Sequence, residues 1–141
     1  MATINSYLNF NGTTEAAFNF YKSVFGGEFA VFQRFKDSPM AEQLPEHERE
    51  MVLHVSLPIG KTAILMATDV LESMGQKLIP GNNFSINITP ESEEEATMLF
   101  NKLVVDGKIE MPLEKTFWGA YFGILIDKFG VQWMVNYPLN Q

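Results

Sequence analysis

The sequence predicts an α+β protein built from two diverged copies of one strand–helix–three-strand module. Three observations carry this reading. Shifted by 80 positions, the chain matches itself at Glu15-Ala16 with Glu95-Ala96, Phe20 with Phe100, Lys22 with Lys102, Val24 with Val104 and Gly27 with Gly107. Both matched segments have apolar residues near helical spacing. Farther along, the turns Pro58-Ile59-Gly60-Lys61 and Lys128-Phe129-Gly130-Val131, offset by 70, each separate two apolar runs of strand length.

The first strand is expected just before Gly12. Thr13 or Thr14 can cap the helix that follows, which presents Ala17, Phe20, Val24 and Phe25 on one stripe and stops at Gly26-Gly27. In the second copy Ser92 with Glu95 forms a capping-box pattern. Ala96, Leu99, Phe100 and Leu103 make the stripe there, and Asp106-Gly107 ends the helix. Strands are expected at 51–57 paired with 62–67, and at 121–127 paired with 131–137. A longer first-half loop, Asp37 to Glu50, with Pro39 and Pro45, explains why the offset falls from 80 to 70. The organisation expected is one domain over 1–141. Module one covers about 1–69 and module two about 82–141, with 70–81 (Gly75, Pro80, Gly81) as linker; neither half has enough core to stand alone.

Composition narrows the function classes. A net charge of −7 with dispersed basic residues argues against a nucleic-acid partner. No apolar run approaches the roughly 20 residues of a membrane span, and Met1 to Asn5 lacks the basic cluster of a secretory signal. There is no cysteine, so thiol nucleophiles, thiolate metal sites and disulfides are excluded together. A soluble, cytoplasmic protein is expected. The acidic run Glu91 to Glu95 sits at a helix start, where carboxylates interact favourably with the dipole.

Tyr7-Leu8-Asn9-Phe10-Asn11-Gly12, Glu15-Ala16, Phe20-Tyr21 and Val24-Phe25-Gly26-Gly27 resemble the opening signature of PhnB-like proteins, a branch of the glyoxalase/bleomycin-resistance (vicinal-oxygen-chelate) superfamily. The closing stretch agrees, with Phe117-Trp118-Gly119 and Asp127-Lys128-Phe129-Gly130-Val131-Gln132-Trp133, although Lys128 stands where proline is usual. The strand around His54 also resembles an element of this branch. The resemblance implies paired βαβββ modules whose curved mixed sheets surround a cavity, and a homodimer. Members also carry a 3-demethylubiquinone methyltransferase-like label, but no Gly-rich strand-to-helix loop for S-adenosylmethionine is visible.

Metal-dependent members of the superfamily hold a divalent ion with His and Glu from strands of both modules, as such ions require. Carried onto this chain, the ligand slots fall near Ser6, Leu65, Ile86 and Met134. Their neighbours Asn5, Tyr7, Ile64, Met66, Ser85, Asn87, Trp133 and Val135 include no histidine and no carboxylate. No metal and no other cofactor is therefore expected.

Two histidines exist. His47 lies in a polar loop and reads as a solvated residue. His54 interrupts the apolar strand Val52 to Leu57. It is either a hydrogen-bonded structural histidine or a cavity-facing acid/base or ligand contact. Asp69, Glu114 and Asp127 are candidate carboxylate bases, with a structural turn role the stronger reading for Asp127. Alternation on the last strand separates Val131, Trp133, Val135 and Tyr137, under a helix, from Gln132, Met134 and Asn136, facing a cavity. Phe117 and Phe122 read as core, whereas Trp118 and Tyr121 can equally line an apolar site. Asn9, His54, Leu65, Trp118, Tyr121, Gln132 and Met134 are thus the candidate lining.

Three functions remain, in this order. The first is a metal-independent binder of a small apolar or aromatic compound. The second is a glyoxalase-like lyase or isomerase using His54 or an unaligned metal site. The third is a dimeric interaction module with a vestigial cavity.

Overall fold

The computed structural model describes residues 1–139. The chain divides into two compact units, Met1–Ile79 and Pro80–Gln141. In the first, β1 (Ser6–Phe10) is followed by α1 (Thr14–Phe25), β2 (Val31–Arg34), the short helix α2 (Glu46–Arg49), β3 (Val52–Ile59) and β4 (Ala63–Asp69). In the second, β5 (Ile86–Ile88) leads to α3 (Glu93–Leu103), β6 (Lys108–Lys115), β7 (Ala120–Ile126) and β8 (Gln132–Pro138). The sheet orders, β1-β4-β3-β2 and β5-β8-β7-β6, are the same arrangement twice. Each sheet is mixed: its first strand runs parallel to its last, and the other pairs are antiparallel. Two βαβββ modules of an α+β fold are therefore present. Neither sheet closes on itself.

Each helix packs on one face of its own sheet. In the first unit Ala17, Phe18, Tyr21 and Val24 are buried, at i, i+1, i+4 and i+7. The stripe runs through Phe18 and Tyr21, and the expected Phe20 and Phe25 stand only half-buried beside it. In α3 the buried set is Ala96, Leu99, Phe100 and Leu103, as expected. Burial thus aligns Ala17 with Ala96, Tyr21 with Phe100 and Val24 with Leu103, a shift of 79 where residue identities give 80.

The helix starts differ for a physical reason. In α3 the Ser92 hydroxyl accepts from Glu95 N–H at 3.0 Å, and Glu95 reaches back to accept from Glu91 N–H. In α1 neither threonine caps through its own oxygen. Asp69, at the end of β4, caps the helix instead. Its Oδ1 accepts from Gly12 N–H, Thr14 N–H and Thr14 Oγ1, and its Oδ2 from Val52 N–H. One buried carboxylate so ties the start of α1 to β3 and β4.

The expected loop Asp37 to Glu50 lies within an ordered insert, residues 35–51. It contains two short 3-10 turns and α2, and buries Phe35 and Leu44 against Leu71, with Met40, Met51 and Leu53 around them. Glu48 of α2 is buried; it accepts from Ser73 N–H at 3.1 Å and from the Ser73 hydroxyl. The Ser73 hydroxyl holds the Glu48 carboxyl below its usual value of 4.5. A carboxyl depressed on folding stabilises above its unfolded value, and that contribution disappears as pH falls through the folded one. Wild type is therefore expected to melt above Glu48→Gln at pH 7, with the gap in thermal midpoint narrowing below about pH 4.5. A constant gap from pH 7 to pH 3 would contradict this.

Candidate functional site

Strand pairing sorts the side chains of each sheet into two faces. In the first unit Ser6 pairs with Leu65 and Leu65 with Leu57, on the side of α1, where Leu57 and Leu65 are buried. On the other face Tyr7 lies beside Met66, Met66 beside Ser56, and Asn9 beside Thr68. His54 is paired with Gln33 on this same helix-free face.

Tyr7 and His54 form a polar aromatic pair there. The Tyr7 hydroxyl lies 2.9 Å from His54 Nδ1, and the rings stack with centroids 5.6 Å apart. Partial desolvation pushes the Tyr7 phenol up from its ordinary value. His54 is thus a hydrogen-bonded residue with a tyrosine partner.

In the second unit Trp133, Val135 and Leu125 are buried toward α3. Tyr121 belongs to that side, since its hydroxyl meets Thr97 Oγ1 of α3 at 3.0 Å. The helix-free face carries Gln132, Met134 and Asn136 of β8 beside Ile126, Ile124 and Phe122 of β7, all half-buried, with the exposed Asn87 next to Met134. Trp118, in the β6–β7 turn, sets its ring edge-on to Phe122 at 5.8 Å.

Several expected site residues change place. Leu65 is core under α1, only 3% exposed. Tyr121 faces α3. Phe117, read as core, is 97% exposed at the β6–β7 turn, and Phe122 belongs to the helix-free face. The error at Leu65 has a definite cause. The paired residues Leu57–Leu65 and Leu125–Trp133 are related by one shift of 68, not by the 70 read from Gly60 and Gly130. That register makes Trp133, not Met134, the structural counterpart of Leu65, and a one-residue slip turns a strand's side chains to the opposite face. Asn9, His54, Gln132 and Met134 do lie on helix-free faces, and Trp118 is half exposed beside one.

The candidate bases divide similarly. Asp69 spends both oxygens on backbone and Thr14. Asp127, also buried, accepts from Phe129 N–H, Val131 N–H and Trp133 Nε1–H. Glu114 is exposed on β6, and His47 is exposed on α2.

A divalent ion needs imidazole and carboxylate donors converging on one point. The helix-free residues nearest the ligand slots are Tyr7, Met66, Asn87 and Met134, which are not such donors. Among the described residues, no group of three or more His, Cys, Asp or Glu side chains is placed to hold a metal. Nor is any helix long and apolar enough to cross a membrane.

Duplicated βαβββ modules with helix-free sheet faces define the glyoxalase/bleomycin-resistance/dioxygenase-like fold. A structure with that description from Burkholderia phytofirmans PsJN matches at TM-score 0.60 and 20% identity, over 95% of this chain and 98% of its own, a likeness of fold. Within that class the chain belongs to the family described as 3-demethylubiquinone-9 3-methyltransferase, which matches residues 2–136. It is similar to PA1353 of Pseudomonas aeruginosa (36% identity, TM-score 0.86, 98% of both chains covered). A Bacillus cereus structure described as a putative 3-demethylubiquinone-9 3-methyltransferase, PhnB protein, shares 30% identity at TM-score 0.75, over 96% of this chain and 99% of that one. Protein YjdN of Escherichia coli K12 is 29% identical over 98% of this chain and 97% of its own length.

Proposed function

We propose that this protein binds a small apolar or aromatic compound on the helix-free sheet faces, and that it does so without a metal. The observation that supports this most is the chemistry of those faces. Tyr7 and Met66 on the first unit's face, and Asn87 and Met134 on the second's, lie at or next to the positions onto which the metal ligands of chelating relatives carry; the second face adds Phe122 and Trp118, so each face offers apolar and aromatic surface with a few polar groups. Met and aromatic side chains adapt to varied apolar ligands.

The methyltransferase in the family's description stays outside this proposal. A loop that cradles S-adenosylmethionine uses several glycines and free backbone N–H groups. The β1–α1 connection, Asn11-Gly12-Thr13, has one glycine, and its N–H is taken by Asp69. Lyase or isomerase chemistry through His54 gains no support either, since the ring's partner is a tyrosine and no carboxylate orients it.

Native mass spectrometry on protein purified gently from cells tests the proposal. A retained organic mass of drug-like size, with no stoichiometric divalent ion, is expected. A stoichiometric divalent ion with no organic ligand would move chelation chemistry ahead of it.

A further inference from the structure

The second unit holds one polar atom that its fold leaves without a use. Asn136 Oδ1 is buried and has no hydrogen-bond partner, the one such side-chain atom among the described residues. Buried acceptors are nearly always paired, and one left bare costs stability unless something else satisfies it. Nearby amides on the same sheet are engaged: Gln132 Oε1 accepts from Ser85 Oγ at 3.3 Å, and Asn87 Nδ2 donates to Thr89 Oγ1 at 3.4 Å. The first unit has Thr68 in the equivalent place, two residues beyond Met66 as Asn136 is beyond Met134. The Thr68 hydroxyl meets the Val52 and Asp69 carbonyls. Among the described residues, only the second copy therefore has a buried side-chain acceptor left unpaired.

That acceptor lies on the helix-free face directly across from Phe122, whose ring Trp118 meets edge-on. We infer that Asn136 selects the ligand: its Oδ1 accepts a hydrogen bond from an N–H or O–H of a planar aromatic compound whose ring rests against Phe122 and Trp118. The inference rests on the small-molecule reading above and adds the chemical class, an aromatic hydrogen-bond donor.

Indole and 1-methylindole test it, since they present nearly the same ring and only indole has an N–H. Binding is followed by NMR titration of the ¹⁵N-labelled full chain. Indole is expected to bind about fivefold more tightly, the value of one net hydrogen bond, and to move the Asn136 side-chain amide beyond the ring-current shift that 1-methylindole causes. Asn136→Leu is expected to erase the preference. Equal binding of the two probes by wild type, or a preference that survives in Asn136→Leu, would overturn the role of Asn136 while leaving small-molecule binding intact. Failure of both probes to bind would overturn the role and count against the binding reading beneath it. Should Asn136→Leu not fold, the wild-type affinity ratio and the amide shift still decide.

Discussion

Asp69→Ala is expected to cost about 3–5 kcal/mol, because it leaves four donors without their acceptor in a buried place. Those donors belong to the start of α1 and to β3, so the loss spreads from the helix cap into the sheet. Asp69→Asn separates charge from geometry. Its retained oxygen can still serve Gly12 and Thr14, but its amide nitrogen would meet the Val52 N–H donor to donor. A loss of about 2 kcal/mol is expected for it. Urea unfolding midpoints at neutral pH measure both. A cost below about 1 kcal/mol for the alanine variant would mean that water replaces the carboxylate, contrary to its burial.

Gly107→Ala should be nearly as damaging, by about 3 kcal/mol. A Cβ there would lie 2.3 Å from the Ile126 carbonyl oxygen and 3.0 Å from Asp127 Cα. Both atoms are backbone, held by the β7–β8 hairpin, so neither can rotate away as a side chain would. Asp106, at φ 59°, has already turned the chain there. Gly81→Ala is the control: its nearest neighbour is an Asn83 side-chain oxygen at 3.9 Å, and it should change stability by less than about 0.5 kcal/mol. Equal thermal midpoints for the two variants would show that the α3–β6 turn relaxes freely.

The duplicated module was legible because turn chemistry and helix periodicity repeat in order. The order of elements along the chain and the α3 core stripe follow from signals within one element. What escaped notice lies between elements. The α1 cap comes from Asp69, 55 positions beyond Thr14, and no capping pattern spans such a gap. The α1 stripe was shifted because phenylalanines at 18, 20 and 25 and Tyr21 offer two apolar faces, and only the sheet chooses between them. The insert 35–51 read as loop on its prolines and charges. Its spaced apolar residues Phe35, Met40, Leu44 and Met51, with Pro45 opening α2, were the available signal.

Site residues were harder, since membership of a face depends on hairpin register. Alternation along β8 separated Trp133 and Val135 from Met134 and Asn136, but aligning Gly60 with Gly130 hid the shift of 68 by which Leu65 corresponds to Trp133. Tyr7 stands out in the sequence only as a neighbour of a ligand slot, although it is the partner of His54. The bare Asn136 acceptor is invisible to any sequence pattern, because a missing hydrogen bond has no residue signature.

Calorimetric titration of chelator-stripped protein with Zn²⁺ and with Mn²⁺ tests the proposed metal-free binding most directly. Weak, non-saturating heats are expected from both ions, and aromatic-ligand affinity should be the same with EDTA present. A saturable site taking one ion per chain, on which ligand binding depended, would contradict it, because no group of three or more His, Cys, Asp or Glu side chains among the described residues is placed to hold a metal.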